Sequence, residues 1–161
     1  MLTRLLSDSS ESAVFNQLYK AIDSGDDTAA LRAMECLDSL PGPALVRACS
    51  RGRGLVVQQM LNESRALDAS VLEESLCAAA SDGHLDILRL MLPRLRLSTN
   101  ALYAAVVRSQ LGAVRLLLDP LRQILHQTDP AMLLTMAICI DEKNPTEDSW
   151  EVYSLLLTSN K

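Results

Sequence analysis

Aromatic residues are scarce in this chain of 161 residues: Phe, Trp and Tyr make up 3% of it, although hydrophobic residues of all kinds make up 48%. A hydrophobic fraction this high excludes a disordered chain and predicts a buried core. Strands favour aromatic and β-branched residues, whereas this chain is rich in Leu and Ala, which favour packed helices. No segment has the alternating pattern of a strand, so the expected fold class is all-α.

Long apolar runs are also missing. No run approaches the ~20 residues that a membrane-spanning helix needs. The apolar start at Met1–Leu6 is interrupted too early for a secretory signal peptide. We therefore expect a protein without a membrane partner, located in the cytoplasm.

Positive charge is not in excess, because 15 Lys and Arg residues stand against 20 Asp and Glu residues, for a net charge of -5. A general nucleic-acid-binding surface is therefore not expected. The cysteines form no C-x-x-C pair and fall in segments typical of buried helix, so we expect reduced core thiols. They are Cys36, Cys49, Cys77 and Cys139.

A helix-turn-helix pattern recurs along the chain. Its clearest copy is centred on Gly83, with Leu76 and Ala79 before the turn and Ile87 and Leu88 after it. Small residues let neighbouring helices approach, and the aliphatic pairs fill the space between units. Because one helix pair cannot cover its own apolar face, the pattern predicts a stack of pairs. The same spacing recurs around four other turn residues: Gly25, Gly52, Ser109 and Asp141.

The pattern also predicts the organisation of the chain. Residues 1–13 are an N-terminal cap or short helix, and residues 14–161 are a repeat domain. We place the repeats at approximately 14–40, 41–68, 69–97, 98–119 and 129–161, with an extra short helix at 120–126.

Helix start and stop signals support this division. Ser70 with Glu73 is a capping box for the third repeat, and Ser98 caps the fourth. Pro41–Pro43 and Pro93 are expected to stop helices between repeats. Replacing the core residues Leu92 or Leu118 with Ala is expected to cost ~2–5 kcal/mol of stability.

The segment Ala79–Leu92 resembles the core of an ankyrin repeat, in which A-A-x-x-G-H is followed by a hydrophobic pair and by L-L. The resemblance extends over roughly residues 14–158. The family's T-P-L-H opening is absent, and the turn residues lie 26 to 32 positions apart, fewer than the ~33 of ankyrin repeats. The resemblance therefore implies an ankyrin-like α-solenoid of about five repeats with capping helices at both ends and with shortened or absent β-hairpin fingers.

Motifs for catalysis are missing. The only G-x-G, at Gly52–Gly54, has no third glycine, and only His84 and His126 could act as bases near neutral pH. His84 has Asp82 and Asp86 close by, which suggests a metal or acid–base site. However, His84 also fills the turn position at which ankyrin repeats carry His, and we interpret it as structural. We predict no enzyme, no catalytic residue, no cofactor and no metal.

The first helices of a repeat stack line one concave face, where equivalent positions become neighbours. The pattern places a basic half on this face, with Arg53 among its members, and an apolar half that includes Ala78 and Ala104. Tyr19 and Tyr103 lie near its rim. The candidate partner-binding residues are Lys20, Arg47, Arg51, Tyr103, Val107 and Arg108. Alternatively, Arg51, Asp82 and Arg108 form only a surface ion-pair ladder, and Tyr103 fills a gap.

The leading hypothesis is a monomeric, non-enzymatic module that binds another protein through this face. The first alternative is the substrate-targeting domain or subunit of a larger modifying enzyme, because degenerate ankyrin stacks are similar to those of bacterial effectors; its compartment would be the host cytoplasm. Arg outnumbers Lys 12 to 3, which would leave few ubiquitin acceptor sites; genome composition is the alternative explanation of this imbalance. The second alternative is a dimerisation module that uses Trp150 and Tyr153 of the last helix.

Overall fold

The structure is a computed structural model that describes residues 2–37, 39–63, 68–94, 99–125 and 154. Within these ranges the regular structure consists of helices alone. The all-α fold class expected from the composition is therefore confirmed for the described part of the chain. No helix in that part is both long enough and apolar enough to cross a bilayer.

The helices follow one another in pairs. A turn of two or three residues joins α1 to α2, α3 to α4, α5 to α6 and α7 to α8. Their bounds are α1 (Leu2–Ser24), α2 (Asp27–Glu35), α3 (Gly42–Ser50), α4 (Gly54–Glu63), α5 (Ala69–Asp82), α6 (Leu85–Met91), a short 3-10 helix (Leu92–Arg94), α7 (Thr99–Val107) and α8 (Leu111–Leu125).

All four of these turns have the same backbone geometry. The turn residue has a positive φ: 82° at Gly25, 69° at Gly52, 76° at Gly83 and 53° at Ser109. The N–H of the next residue donates to the carbonyl of an alanine in the last turn of the first helix, which closes the helix end. These bonds are Asp26 to Ala21 (3.0 Å), Arg53 to Ala48 (2.9 Å), His84 to Ala79 (2.9 Å) and Gln110 to Ala105 (2.8 Å). The turns predicted at these positions are confirmed, and Asp141 lies outside the described residues.

The chain divides into two compact units, Met1–Ser75 and Leu76–Lys161, and the division falls inside α5. In the first unit α1 packs against α2 and α3 against α4, while α1 also contacts α3 and α2 contacts α4. Two helix pairs thus lie side by side, first helix against first and second against second. The start of α5 packs here too, with Val71 against Gly42.

The buried core of the first unit follows the repeat pattern, and burial of each large aliphatic side chain contributes ~1.5–3 kcal/mol. Its members are Leu18, Ala21, Ile22, Ala30, Ala33, Met34, Ala44, Leu45, Ala48, Cys49, Val56, Val57, Met60 and Leu61. Ser75 is the buried polar residue of this core, and its hydroxyl donates to the carbonyl of Val71 at 2.7 Å.

In the second unit α7 packs against α8, and α6 contacts α8. Leu76, Ala79 and Ala80 of α5 are buried, as are Ile87, Leu88 and Met91 of α6. The remaining core residues are Ala101, Leu102, Ala105, Val106, Ala113, Val114, Leu117 and Leu118. Leu92, which the pattern assigned to the core, is half-buried in the 3-10 helix.

Two predicted helix boundaries differ from the structure. The helix α1 runs without a break through residue 13, so the predicted cap at 1–13 and the first helix of the first repeat are one helix. Likewise α8 continues through Pro120 to Leu125, and the extra helix predicted at 120–126 is the end of α8 as far as residue 125. A proline inside a helix removes one hydrogen bond without having to end the helix. The fifth repeat, predicted at 129–161, lies outside the described residues except for Ser154.

The structure also tests three of the residue patterns that were expected to start or stop helices. Because α5 begins at Ala69, Ser70 lies inside its first turn and is not the N-cap. Pro41 is the N-cap of α3 and Pro43 lies in its first turn, so Pro41–Pro43 begins a helix. The first turn of a helix accepts proline because the N–H that proline lacks would have no partner within the helix there. Pro93 follows the end of α6, as predicted. Ser98 is not among the described residues.

The four cysteines were predicted to be core thiols, and the structure agrees for only some of them. Cys49 is buried and Cys77 is half-buried, and both are reduced thiols. Cys36 is exposed, because it is the C-cap residue of α2, where the helix ends. Its assignment to the core is therefore wrong, and Cys139 lies outside the described residues.

Candidate partner-binding site

Asp23, in the last turn of α1, is bound by two arginines from the end of α3. Arg47 donates from Nε to Oδ1 at 2.9 Å and from Nη2 to Oδ2 at 2.6 Å, and Arg51 donates from Nε to Oδ1 at 3.1 Å. Arg47 and Arg51 are four residues apart and so share one face of their helix end. The contact between α1 and α3 brings that face to Asp23.

Tyr19 completes the group from one helical turn before Asp23. The guanidinium carbon of Arg47 lies 5.4 Å from the centre of the Tyr19 ring, within cation–π range. Because Arg47 is held by the ring and by the carboxylate together, its position is well defined. We call Tyr19, Asp23, Arg47 and Arg51 the Asp23 cluster. Lys20, next to Tyr19 in sequence, is exposed.

The charges of the Asp23 cluster are accessible to solvent. The exposed fraction of the side chain is 45% for Arg47, 54% for Arg51 and 32% for Asp23. Exposed ion pairs contribute only ~0–1 kcal/mol each to folding, because water and salt screen them. The cluster is therefore a minor contributor to stability, and its main effect is to orient the two guanidinium groups.

Asp23 is held in its charged form. The hydrogen bond from Arg47 lowers the pKa of Asp23 below its ordinary value of 3.8, desolvation opposes this, and the charges of Arg47 and Arg51 add to the lowering. The same hydrogen bond raises the pKa of Arg47. At neutral pH the cluster thus consists of one carboxylate and two guanidinium ions.

Arg53 is less accessible to solvent than Arg47 and Arg51. It is half-buried, and its guanidinium covers the turn at Gly25, where an added Cβ would lie 2.6 Å from Nη2 of Arg53. Its Nε is buried and has no hydrogen-bond partner in the described part of the chain. Arg53, which the pattern placed in the basic half, therefore fills a gap between two turns with its side chain.

The other candidates lie in the second unit. Tyr103 on α7 is 43% exposed. Val107, one turn further along the same helix, is half-buried, as are Ala78 and Ala104. Arg108, in the turn after α7, is 62% exposed and pairs with Asp82 at 3.6 Å. The predicted ion-pair ladder is thus correct for Arg108 and Asp82, whereas Arg51 pairs with Asp23.

His84 is the N-cap residue of α6, directly after the turn at Gly83. Among the residues that the structure describes, no three His, Cys, Asp or Glu side chains are grouped so that they could hold a metal ion.

The repeat pattern predicted Arg47 and Arg51 as site residues but not Asp23. Asp23 stands two positions before its turn residue, whereas Arg47 and Arg51 stand five and one before theirs. The repeat pattern relates only equivalent positions of the repeats, and these three positions are not equivalent. A search for opposite charges in neighbouring columns of consecutive repeats would have found Asp23.

Comparison of the chain with protein-family models, with curated proteins and with solved structures found no match in any of the three. The described part of the chain defines an all-α protein whose helices are paired through turns with one positive-φ residue each.

Proposed function

We propose that this protein is a non-enzymatic interaction module, built from ankyrin-like helix-pair repeats, that binds another protein through its first helices. The observation that carries the proposal is the Asp23 cluster. It gathers two arginines and a tyrosine on exposed, adjoining parts of α1 and α3. Arg and Tyr are the residue types that contribute most to protein interfaces.

The repeat architecture is supported by the recurring turn. Each described pair of helices is joined by a positive-φ residue and closed by a hydrogen bond to an alanine carbonyl. In the first unit the first helices contact each other, as do the second helices. This contact pattern is the one expected when each pair buries its apolar face against the next.

The Asp23 cluster is exposed and contributes little to the stability of the fold, and both properties support a role in binding. Exposed ion pairs add little to the stability of a fold, and the Asp23 cluster is exposed and small. Its side chains are nonetheless ordered by one another, which reduces the entropy lost when a partner binds. The dimerisation alternative depends on Trp150 and Tyr153, which lie outside the described residues.

The test is a quantitative capture experiment with three forms of the tagged protein: wild type, Arg47→Ala/Arg51→Ala, and Arg32→Ala/Arg89→Ala. Alanine is used because glutamate would place like charges beside Asp23. The control variant removes the same charge from two exposed arginines of α2 and α6. Circular dichroism melts verify that all three fold.

We expect at least one protein to be recovered by the wild type and by the control but not by Arg47→Ala/Arg51→Ala, when captured proteins are quantified by mass spectrometry. Recovery of the same proteins in the same amounts by all three forms would reject the Asp23 cluster as a binding site.

A further inference from the structure

We infer that the segment bound at the Asp23 cluster is acidic, and that the Nη1–Nη2 edge of Arg51 receives one of its carboxylates. This inference rests on the proposed binding function and adds the chemistry of the partner.

The guanidinium of Arg51 is held in a defined orientation, and its Nη1–Nη2 edge is available to a partner. Its Nε donates to Oδ1 of Asp23 at 3.1 Å, and no described residue accepts a hydrogen bond from either of its Nη atoms. A guanidinium is rigid and planar, so a bond at Nε restricts the orientation of the whole group. The two parallel N–H groups of the Nη1–Nη2 edge match the two oxygens of a carboxylate.

Arg47 is used differently. Its Nε and Nη2 already form a two-pronged contact with Asp23, and its guanidinium packs over Tyr19. Arg47 therefore holds Asp23 in place, and Asp23 in turn orients Arg51. We assign Arg47 and Asp23 as positioning residues and Arg51 as the residue that contacts the partner.

Charge complementarity favours an acidic partner over a basic one. Lys20, Arg47 and Arg51 carry three positive charges against the two carboxylates of Asp23 and Asp26, so this surface keeps a positive charge on a chain whose net charge is -5. The nearby Asp26 is occupied as the N-cap of α2, where its Oδ1 accepts from Thr28 and Ala29. An acidic segment is attracted to this surface and repelled by the rest of the chain. A basic segment would have to compete with Arg47 and Arg51 for the carboxylate of Asp23.

The probe is a fluorescein-labelled peptide in which Glu alternates with Gly and Ser, titrated with the full chain and followed by fluorescence anisotropy. Its controls are the same peptide with Gln for Glu and a peptide with phosphoserine for Glu. We expect the Glu peptide to bind more tightly than the Gln peptide, with an affinity that falls as salt is added. Binding of the phosphoserine peptide without binding of the Glu peptide would overturn the inference.

Substitutions at Arg51 test its role as the receptor. Arg51→Ala is expected to weaken binding of the Glu peptide by about tenfold, the loss typical of one charge-assisted contact. Arg51→Lys keeps the charge but not the two-pronged edge and should weaken binding nearly as much. Arg32→Ala removes an equal charge elsewhere and should change the affinity less than twofold. Equal effects of Arg51→Ala and Arg32→Ala would overturn the assignment.

Asp23→Asn separates positioning from net charge. The substitution makes the surface more positive, so a purely electrostatic attraction would become stronger. If Asp23 orients Arg51, binding becomes weaker instead, and weakening is the expected result. Tighter binding would overturn the positioning assignment.

The inference and the proposed function fail in different ways. If capture identifies a partner that requires Arg51, but the Glu peptide neither binds nor displaces it, the binding function stands and the acidic partner is rejected. If the Glu peptide binds at Arg51 but capture finds no protein that depends on the Asp23 cluster, the acidic chemistry stands and the proposed function is rejected.

Discussion

The guanidinium of Arg53 occupies the space above the turn at Gly25, so that an added Cβ on this glycine would lie 2.6 Å from Nη2. Gln110 stands in the same relation to Gly83, because its side-chain amide fills the space where a Cβ would be. In both cases the residue that follows one turn covers the glycine of the preceding turn. Gly25 and Gly83 are therefore required for their positive φ and also because a side chain of the next turn occupies the space of a Cβ.

Gly25→Ala is expected to destabilise the protein by ~1–3 kcal/mol, because an L-residue at φ +82° is strained and the new methyl group displaces Arg53. Urea unfolding at neutral pH measures the change. The control is Gly54→Ala, at the first residue of α4, where an added Cβ meets no atom within 4 Å. Gly54→Ala should be neutral or stabilising by up to ~1 kcal/mol. Equal unfolding midpoints for the two variants would contradict this explanation.

Ser109→Gly is expected to stabilise the protein. Ser109 has φ 53°, a conformation that costs a non-glycine residue ~1–2 kcal/mol, whereas glycine loses only ~0.5–1 kcal/mol of additional entropy on folding. The net gain should be ~0.5–1 kcal/mol, seen as a higher urea midpoint with an unchanged slope. Ser109→Ala, which cannot relieve the strain, is the matched control. A midpoint no higher for Ser109→Gly than for Ser109→Ala would show that the turn is not strained.

The difference between Ser109 and Asp23 explains what the sequence could predict. The turn at Ser109 is a local feature, set by residues a few positions away, and the repeated spacing of Leu and Ala was enough to locate it. The position of Asp23 relative to Arg47 depends on how α1 and α3 align side by side, so it is indicated only by comparing the charges of one repeat with those of the next, and not by the residues around Asp23. The end of α8 was missed for another reason: the fourth repeat was expected to end at residue 119, with a separate helix at 120–126, whereas α8 continues through Pro120 to Leu125.

Leu118→Ala is expected to destabilise the protein by ~2–5 kcal/mol, because Leu118 of α8 is 3% exposed and its truncation leaves a cavity. The sequence pattern predicts the same loss for Leu92→Ala, but Leu92 is half-buried in the 3-10 helix. Its truncation removes less buried surface and should cost clearly less. The comparison uses urea unfolding of the two variants side by side. An equal loss at both positions would mean that Leu92 belongs to the core after all.

The contribution of Asp23 to stability should disappear in acid. Because the Arg47 hydrogen bond lowers the pKa of Asp23 in the folded state, the ionised carboxylate stabilises the fold above its ordinary pKa of 3.8. This stabilisation is lost as the pH falls through the lowered pKa. Thermal melts of wild type and Asp23→Asn should therefore differ at neutral pH and converge in acid. A difference that persists in acid would show that Asp23 acts through something other than its charge.

The reactivity of the cysteines should follow their burial. Burial raises the pKa of Cys49 to about 12 from its ordinary 9.0, opposed by a hydrogen bond with Ser75. Its neutral thiol therefore stabilises the fold below pH 9.0, and this contribution is lost as the pH rises toward the raised pKa. In mildly alkaline buffer, Cys49 should react with a thiol reagent only when the protein opens, whereas the exposed Cys36 should react at once.

The labelling rates are measured on two single-cysteine variants. One retains only Cys36 and the other only Cys49, and the other three cysteines are replaced by Ala in each. Urea below the unfolding midpoint should accelerate labelling of Cys49 far more than labelling of Cys36, because only Cys49 needs an opening step. The effect of urea on the labelling rate also distinguishes protection by the fold from a slow intrinsic reaction. A thiol that is accessible but unreactive would be labelled at a rate that does not depend on urea. If Cys49 reacts in native buffer as fast as Cys36, the packing of α3 against the start of α5 is not as tight as the buried Cys49 implies.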